Sequence, residues 1–474
     1  MVALLHRRRR SGSLRPCHSR RSAPTSMTDP TMFRVARVAL VVALLAPVPA
    51  IAPAQVGSPA GPVPVEYLVA RRTDLLKRLG NGIAVIRSSE QRSIEGDYPQ
   101  DSDYRENNDF FYLTGLETPS SWLVLVARDT LAPQVYLYLP ARDSMAERWT
   151  GVRLGPGAEA SSLTGIEDTR AADLAERQIR GFVRSRTVQG GEFYLLLGKE
   201  AVSDTFFQQL ALGMGAGVTD LRPLLAAMRL VKDADEMRRM RMAAEVSAKG
   251  HVAAMRAAHP GAWEYELEGA AEGTFRSLGA ERLAYPSIVG TGINATTLHY
   301  DRSRSQLQAG ELVVMDMGAE YGFYAADITR TIPVTGKFSP RQLQIYNLVL
   351  ATQQAALDSI KPGITLGRLG QIAREYMKEH SGELCAPGTC DRFFIHGLGH
   401  WVGMDVHDVG SYRTPLAQNM VFTVEPGIYI PDEKLGVRIE DEVVVTATSY
   451  ELLSGGAPRT AADVEKVMKV KKKD

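Results

Sequence analysis

The sequence predicts an α/β N-terminal domain followed by an α+β domain built from a duplicated α-α-β-β unit. Three observations carry that reading. At 474 residues the chain is longer than one ordinary core, so two domains are expected. Short apolar runs alternate with helical patterns up to about residue 222, and long helices striped with Met and Ala follow. Beyond that point two Pro-Gly pairs, Pro260-Gly261 and Pro362-Gly363, stand 102 positions apart, each closing a long helical pattern.

The first domain is assigned to residues 55–223. Runs at 82–87, 122–127, 135–138 and 192–197 read as short buried strands, and 65–79 and 171–184 carry helical spacing. The character changes near Leu221-Arg222-Pro223, which places the boundary at 223–232. Asp233 with Glu236 three residues later forms a capping-box pattern, and Met237, Met240, Ala244, Ala248, Val252 and Met255 continue it at helical spacing. The second domain, residues 224–465, then repeats itself. Helices from Asp233 to Pro260 and over 263–278 precede strands at 284–289 and 312–317. Helices at 340–360 and 366–379 precede strands at 393–396, 420–425 and 437–445. Such a repeat predicts two half-domains facing each other across a cleft. Residues 466–474 read as a basic tail.

Composition excludes some classes. A hydrophobic content of 45% and a charged content of 23% are globular values. The net charge of +1 hides an asymmetry: residues 1–54 hold nine Arg and one acid, leaving the remainder at −7. A nucleic-acid partner is therefore not expected. Arg34 and Arg37 precede an apolar run at 38–48 and small residues at 52–54, the pattern of a secretory signal peptide. The run is shorter than the roughly 20 residues a membrane span needs, so no stable membrane anchor is expected. Export to the periplasm or the extracellular space is. Cys17 would leave with the leader. Cys385 and Cys390 flank a Pro-Gly turn and read either as a disulfide stapling a loop, the favoured reading in an exported protein, or as two free thiols.

The chemistry gathers in the last third of the chain. Asp316 ends an apolar strand, and a carboxylate there needs compensation. Asp327 follows eleven residues on, and a hairpin turning through 320–323 would set the two side by side. Three of the nine histidines, His396, His400 and His407, fall within twelve residues, spaced by glycine. Glu425 follows an apolar run and precedes Pro426-Gly427. Strand alternation puts Arg438 and Glu440 on one face, where Arg438 can offset and orient buried carboxylates. Asp316, Asp327, His400, Glu425 and Glu440 thus form an oxygen-rich donor set. Two divalent ions suit it, Mn²⁺ first, with Co²⁺, Zn²⁺ or Fe²⁺ as alternatives.

These segments resemble the pita-bread metallopeptidases, and among them the bacterial Xaa-Pro aminopeptidases. The motifs are Pro286 to Asn294 with Leu298-His299-Tyr300, Asp316, Asp327-Ile-Thr-Arg-Thr, the run from His396 to Gly410, Thr423 to Tyr429, and Val437 to Asp441. Tyr104 to Gly115 and Glu147 to Gly155 are similar to that family's N-terminal domain, and the likeness extends over about residues 64–465. The resemblance implies a pita-bread second domain. It makes Asp316 a bidentate ligand, Asp327 and Glu440 bridging ligands, and His400 and Glu425 ligands of a second ion. It also implies hydrolysis of peptides with proline in second position by a metal-bridged hydroxide, with Glu425 shuttling the proton. His299 and His407 would contact the substrate at the scissile bond, and His396 would line the prolyl pocket. Trp149 matches a family Trp that reaches a neighbouring subunit's site, which implies a homo-oligomer, a dimer or tetramer. A dipeptidase confined to Xaa-Pro dipeptides is the alternative, and a non-catalytic peptide-binding relative is a distant third.

Overall fold

The computed structural model describes residues 58–91, 104–128, 132–189, 191–197, 205–213, 215 and 217–469. The expected leader lies outside the described residues. Among those described, no helix is long and apolar enough to cross a membrane.

A six-stranded sheet organises the first domain, in the order Asp168–Ala171, Gln134–Leu139, Trp122–Val126, Gly82–Arg87, Glu192–Leu195, Val218–Asp220. Gly82–Arg87 pairs antiparallel with Trp122–Val126 and parallel with Glu192–Leu195. Alternate side chains serve two cores, as strand geometry requires. Ile83, Val85, Val124 and Val126 pack on Ile179, Val183 and Phe207. Ala84, Ile86, Leu123 and Leu125 face the other way, onto Leu68, Leu75 and Phe110. That second core continues into the next domain through Met237, Met240, Phe323, Tyr324, Val402 and Met404. One stretch departs from expectation. Residues 168–171 are a half-buried edge strand, and the helix begins later and runs Ala175–Gln189. Asp-Thr-Arg-Ala has no apolar alternation by which a strand could be read.

The capping box at Asp233 forms as expected: its Oδ1 accepts from the Asp235 and Glu236 amides at 3.0 Å, and Glu236 Oε2 accepts from the Asp233 amide at 2.9 Å. It starts the 24-residue helix Ala234–Ala257, which packs on Glu264–Ser277. The second helix pair is Pro340–Leu357 and Leu366–Glu379. Between the pairs lie small antiparallel sheets. Leu312–Asp316 runs between Ile288–Thr291 and Thr329–Pro333, and Asp441–Val445 runs between Val421–Val424 and Tyr450–Leu452. The final helix spans Ala461–Lys469, and Val467 and Met468 pack on the core, so residues 466–469 are structure rather than free tail.

Three strand expectations change. The strand placed at 284–289 begins only at Ile288, because Pro286 has no amide hydrogen to give a ladder. Residues 393–396 form no strand. A short 3-10 helix at Cys390–Phe393 precedes an irregular run, whose Phe394 and His396 carbonyls accept from Arg374 at 2.6 Å each. The run 437–445 is two strands. Leu435–Arg438 pairs with Gly427–Ile430, Asp441–Val445 pairs with Val421–Val424, and the chain changes sheets at Ile439-Glu440. Cys385 and Cys390 form a disulfide.

Candidate metal centre

The break at Glu440 has a reason in the site itself. Glu440 leaves the ladder to donate its amide to the Thr329 carbonyl at 3.1 Å, and its own carbonyl accepts from Arg330 at 2.5 Å. Its carboxylate then points across the seam and accepts from the Thr329 hydroxyl at 2.6 Å.

From the first half come the two aspartates. Asp316 ends its strand opposite Thr329. The hairpin between them turns at Gly322 and Phe323, both left-handed (φ 56° and 73°). Gly318 lets its arms close: a Cβ there would stand 1.9 Å from the Ala326 carbonyl oxygen. The result is the juxtaposition expected of Asp316 and Asp327, for the Tyr285 hydroxyl lies 2.6 Å from an oxygen of each.

From the second half, residues 398–402 run beside Val421–Val424. The Glu425 amide donates to the Leu398 carbonyl at 2.8 Å, and the Thr423 amide to the His400 carbonyl at 2.9 Å. Gly399 is required there, since a Cβ would meet the Thr423 carbonyl oxygen at 1.9 Å. His400 Nδ1 lies 3.1 Å from the Trp401 carbonyl and donates to it, so Nε2 faces Asp327 at 3.3 Å and Glu425 at 3.6 Å. Donor atoms of Asp327, His400 and Glu440 all lie within 4.8 Å of one another. Asp316 flanks them through Tyr285, and Glu425 through His400.

Charge explains why this cluster calls for a cation. Burial, then repulsion from Asp327, Glu425 and Asp316, pushes the Glu440 carboxyl well above the carboxylate range. Burial pushes Glu425 up to about 7, against the pull of His400 and Arg438. Asp316 is raised by burial, which Arg438 opposes with a bond of 2.6 Å to Oδ2. Burial also works against Asp327, but the His400 hydrogen bond and charge outweigh it and hold that carboxyl low. His400 is raised to about 9, its burial outweighed by Asp327 and Glu425. Four acids facing one imidazole and one guanidinium are under-neutralised, and their oxygens suit a hard divalent ion. A testable consequence is proton release. Near pH 7 a cation entering this site displaces protons from His400 and from the Glu425–Glu440 group, so its apparent affinity rises with pH between about 7 and 9. Metal titration calorimetry in buffers of different ionisation enthalpy should show that release. A heat independent of buffer would contradict it.

The other expected residues divide. An open cleft of about 930 Å³ over the cluster is lined by His299, His396, His407 and Arg438, together with all five acid and imidazole donors. His407 stands edge-on to His400, ring centres 4.2 Å apart. His396, lowered to about 4 by burial and then by Arg438, is neutral at pH 7, and its Nε2 lies 2.8 Å from the Tyr429 hydroxyl. Trp149 is not brought there. It sits on Glu147–Thr150 in the first domain, 89% exposed, and does not line this chain's cleft.

Sequence reasoning missed Tyr285, Thr329 and Tyr429 as site residues. Arg438 donates from Nε to the Thr329 hydroxyl (3.0 Å) and from Nη1 to Tyr429 (3.1 Å), so these side chains join His396 to Asp316 and Glu440. Thr329 could have been found, because period-two alternation from Asp327 places it on the same face. Tyr285, beside a proline outside any strand, carries no such signal.

Fold and donor set together are those of a metal-dependent peptidase. Residues 238–447 match metallopeptidase family M24, and residues 68–189 match the aminopeptidase P N-terminal domain. The chain is 35% identical to the Xaa-Pro aminopeptidase of Escherichia coli (strain K12) over 433 residues, covering 84% of this chain and 96% of that one. Proline aminopeptidase P II from Yersinia pestis superposes with a TM-score of 0.78 at 34% identity, covering 86% of this chain and all of that one. Aminopeptidase P from E. coli with the inhibitor Pro-Leu gives 0.77 at 33% identity, covering 86% and 99%. The chain belongs to the Xaa-Pro aminopeptidases of family M24, and its second domain has their pita-bread fold.

Proposed function

We propose that the enzyme releases the N-terminal residue from peptides whose second residue is proline, using two divalent ions, Mn²⁺ foremost. The observation that carries this is the convergence of Asp316, Asp327, His400, Glu425 and Glu440 beneath a cleft walled by three histidines. Asp316 and Asp327 from the first half-domain and His400, Glu425 and Glu440 from the second would hold the ions. When bound, such ions polarise the scissile carbonyl and make water acidic enough to attack it near neutral pH.

The side chains do the rest. Glu425 takes the proton of the attacking water and gives it to the leaving imino nitrogen. His299 and His407 donate to the oxygen on which negative charge develops. His396, neutral and backed by Tyr429, forms a flat wall for the prolyl ring. Arg438 holds Asp316 in place.

The likeness to aminopeptidases favours peptides longer than two residues. Rates for a Xaa-Pro dipeptide should therefore be lower than for Xaa-Pro-Yaa peptides with the Mn²⁺-loaded protein. Cleavage confined to the dipeptide would replace this reading with a dipeptidase. The pattern of residues 34–54 and the disulfide, a bond that persists in oxidising compartments, support export to the periplasm or beyond. The exposed Trp149 supports assembly into a dimer or tetramer in which it meets a neighbour's cleft.

A further inference from the structure

His407 has an unusual problem for a substrate-facing side chain. Among the described residues, no hydrogen bond within the chain holds its imidazole, and it sits in the strand-free stretch Gly403 to Asp408. Beyond the edge-on contact with His400, its position rests on the backbone on either side. Both sides end on one guanidinium. Arg229, in helix Arg222–Arg229 and only 4% exposed at its side chain, donates from Nη2 to Asp405 Oδ2 at 2.8 Å and to Asp408 Oδ1 at 2.6 Å. Its Nη1 donates to Asp109 Oδ1 at 2.8 Å, in helix Asn108–Thr114 of the first domain.

Other bonds run the same way. Asn108 Nδ2 donates to Asp405 Oδ1 at 2.8 Å, and Arg105 Nη2 to the Met404 carbonyl at 3.2 Å. Lys232 Nζ meets Asp408 Oδ2 at 3.2 Å, with both side chains 1% exposed. Gly403 lets that pair close, since a Cβ there would stand 2.0 Å from Asp408 Oδ2. A planar guanidinium spanning three carboxylates fixes direction as well as distance, which a point charge cannot do.

We infer that Arg229 is a positioning residue: by gripping Asp405 and Asp408 it sets the backbone on both sides of His407, and through Asp109 it makes the first domain part of that setting. The first domain thereby acts on the substrate side of the centre without contributing a side chain to it. The inference rests on His407 facing the substrate, as proposed above.

Removing Arg229 would strand buried acids and endanger folding, so the test uses Asp405→Ala, which leaves Arg229 its bonds to Asp109 and Asp408. The side chain of Asp405 is 48% exposed, so this variant should fold. It should lose about tenfold in kcat on a Xaa-Pro peptide, with Mn²⁺ affinity within twofold of wild type. In a His407→Ala background the same change should cost less than twofold, because the ring it positions is gone. Equal losses in both backgrounds would reduce Asp405 to a general structural role and overturn the inference. Imidazole NMR gives a readout independent of turnover: the His407 signal, assigned by its loss in His407→Ala, should shift or broaden in Asp405→Ala while that of His299 stays put. An unmoved His407 signal would equally overturn it. Should wild type cleave no Xaa-Pro peptide, the functional reading falls and the NMR comparison still decides the positioning.

Discussion

Glu425→Gln should reduce turnover by at least ~10³-fold while leaving the fold and the cleft intact. The amide keeps the size of the carboxylate but cannot take up a proton. A carboxylate at that place can take a proton from water and pass it to the leaving nitrogen. Its neighbours His400 and His396 lie 3.6 Å and 3.8 Å away, and neither replaces it: His400 faces Asp327 as well, and His396 is held neutral. The measurement is steady-state kinetics on variant protein loaded to the same metal content as wild type. Activity within tenfold of wild type would remove Glu425 from the proton path.

The largest effect on stability should come from Arg330→Ala. Arg330 is fully buried and pairs with the equally buried Asp441 at 2.6 Å. It also donates to the carbonyls of Pro458, Thr329, Glu440 and Ala457. Truncation leaves Asp441 with Gln353, Ser454 and the more distant Arg459, which is too little for a carboxylate out of water. A loss of about 3–5 kcal/mol is expected, with the Glu440 carbonyl left without its Arg330 donor. Urea unfolding of metal-free protein isolates this from metal binding. A loss under about 1 kcal/mol would mean that water or Arg459 takes over the role. Arg330→Lys should recover part of the loss, since it restores charge but not the forked donors.

Much of this architecture was legible because local signals agreed. The capping box at Asp233 and the helix stripes read correctly from spacing alone, and so did the hairpin carrying Asp316 and Asp327. The donor residues stood out because carboxylates at the ends of apolar strands and a glycine-spaced histidine run have few structural uses. What stayed hidden depended on contacts distant in sequence. Nothing in Val437 to Val445 announces that the strand breaks at Glu440, because the cause is the Thr329 carbonyl more than a hundred residues earlier. Likewise 393–396 looked like a strand until Arg374 claimed its carbonyls. The grip of Arg229 joins three chain segments and leaves no periodic trace in any of them.

The core shared by Leu68, Phe110, Met237, Met240, Phe323 and Met404 has a consequence for movement. Two family matches divide this chain, yet apolar side chains from both interlock in one core, and close-packed interiors do not slide. A hinge at residues 223–232 would have to pull that core apart. Parting the two domains would expose those apolar side chains to water, which opposes peptide entry by such a motion.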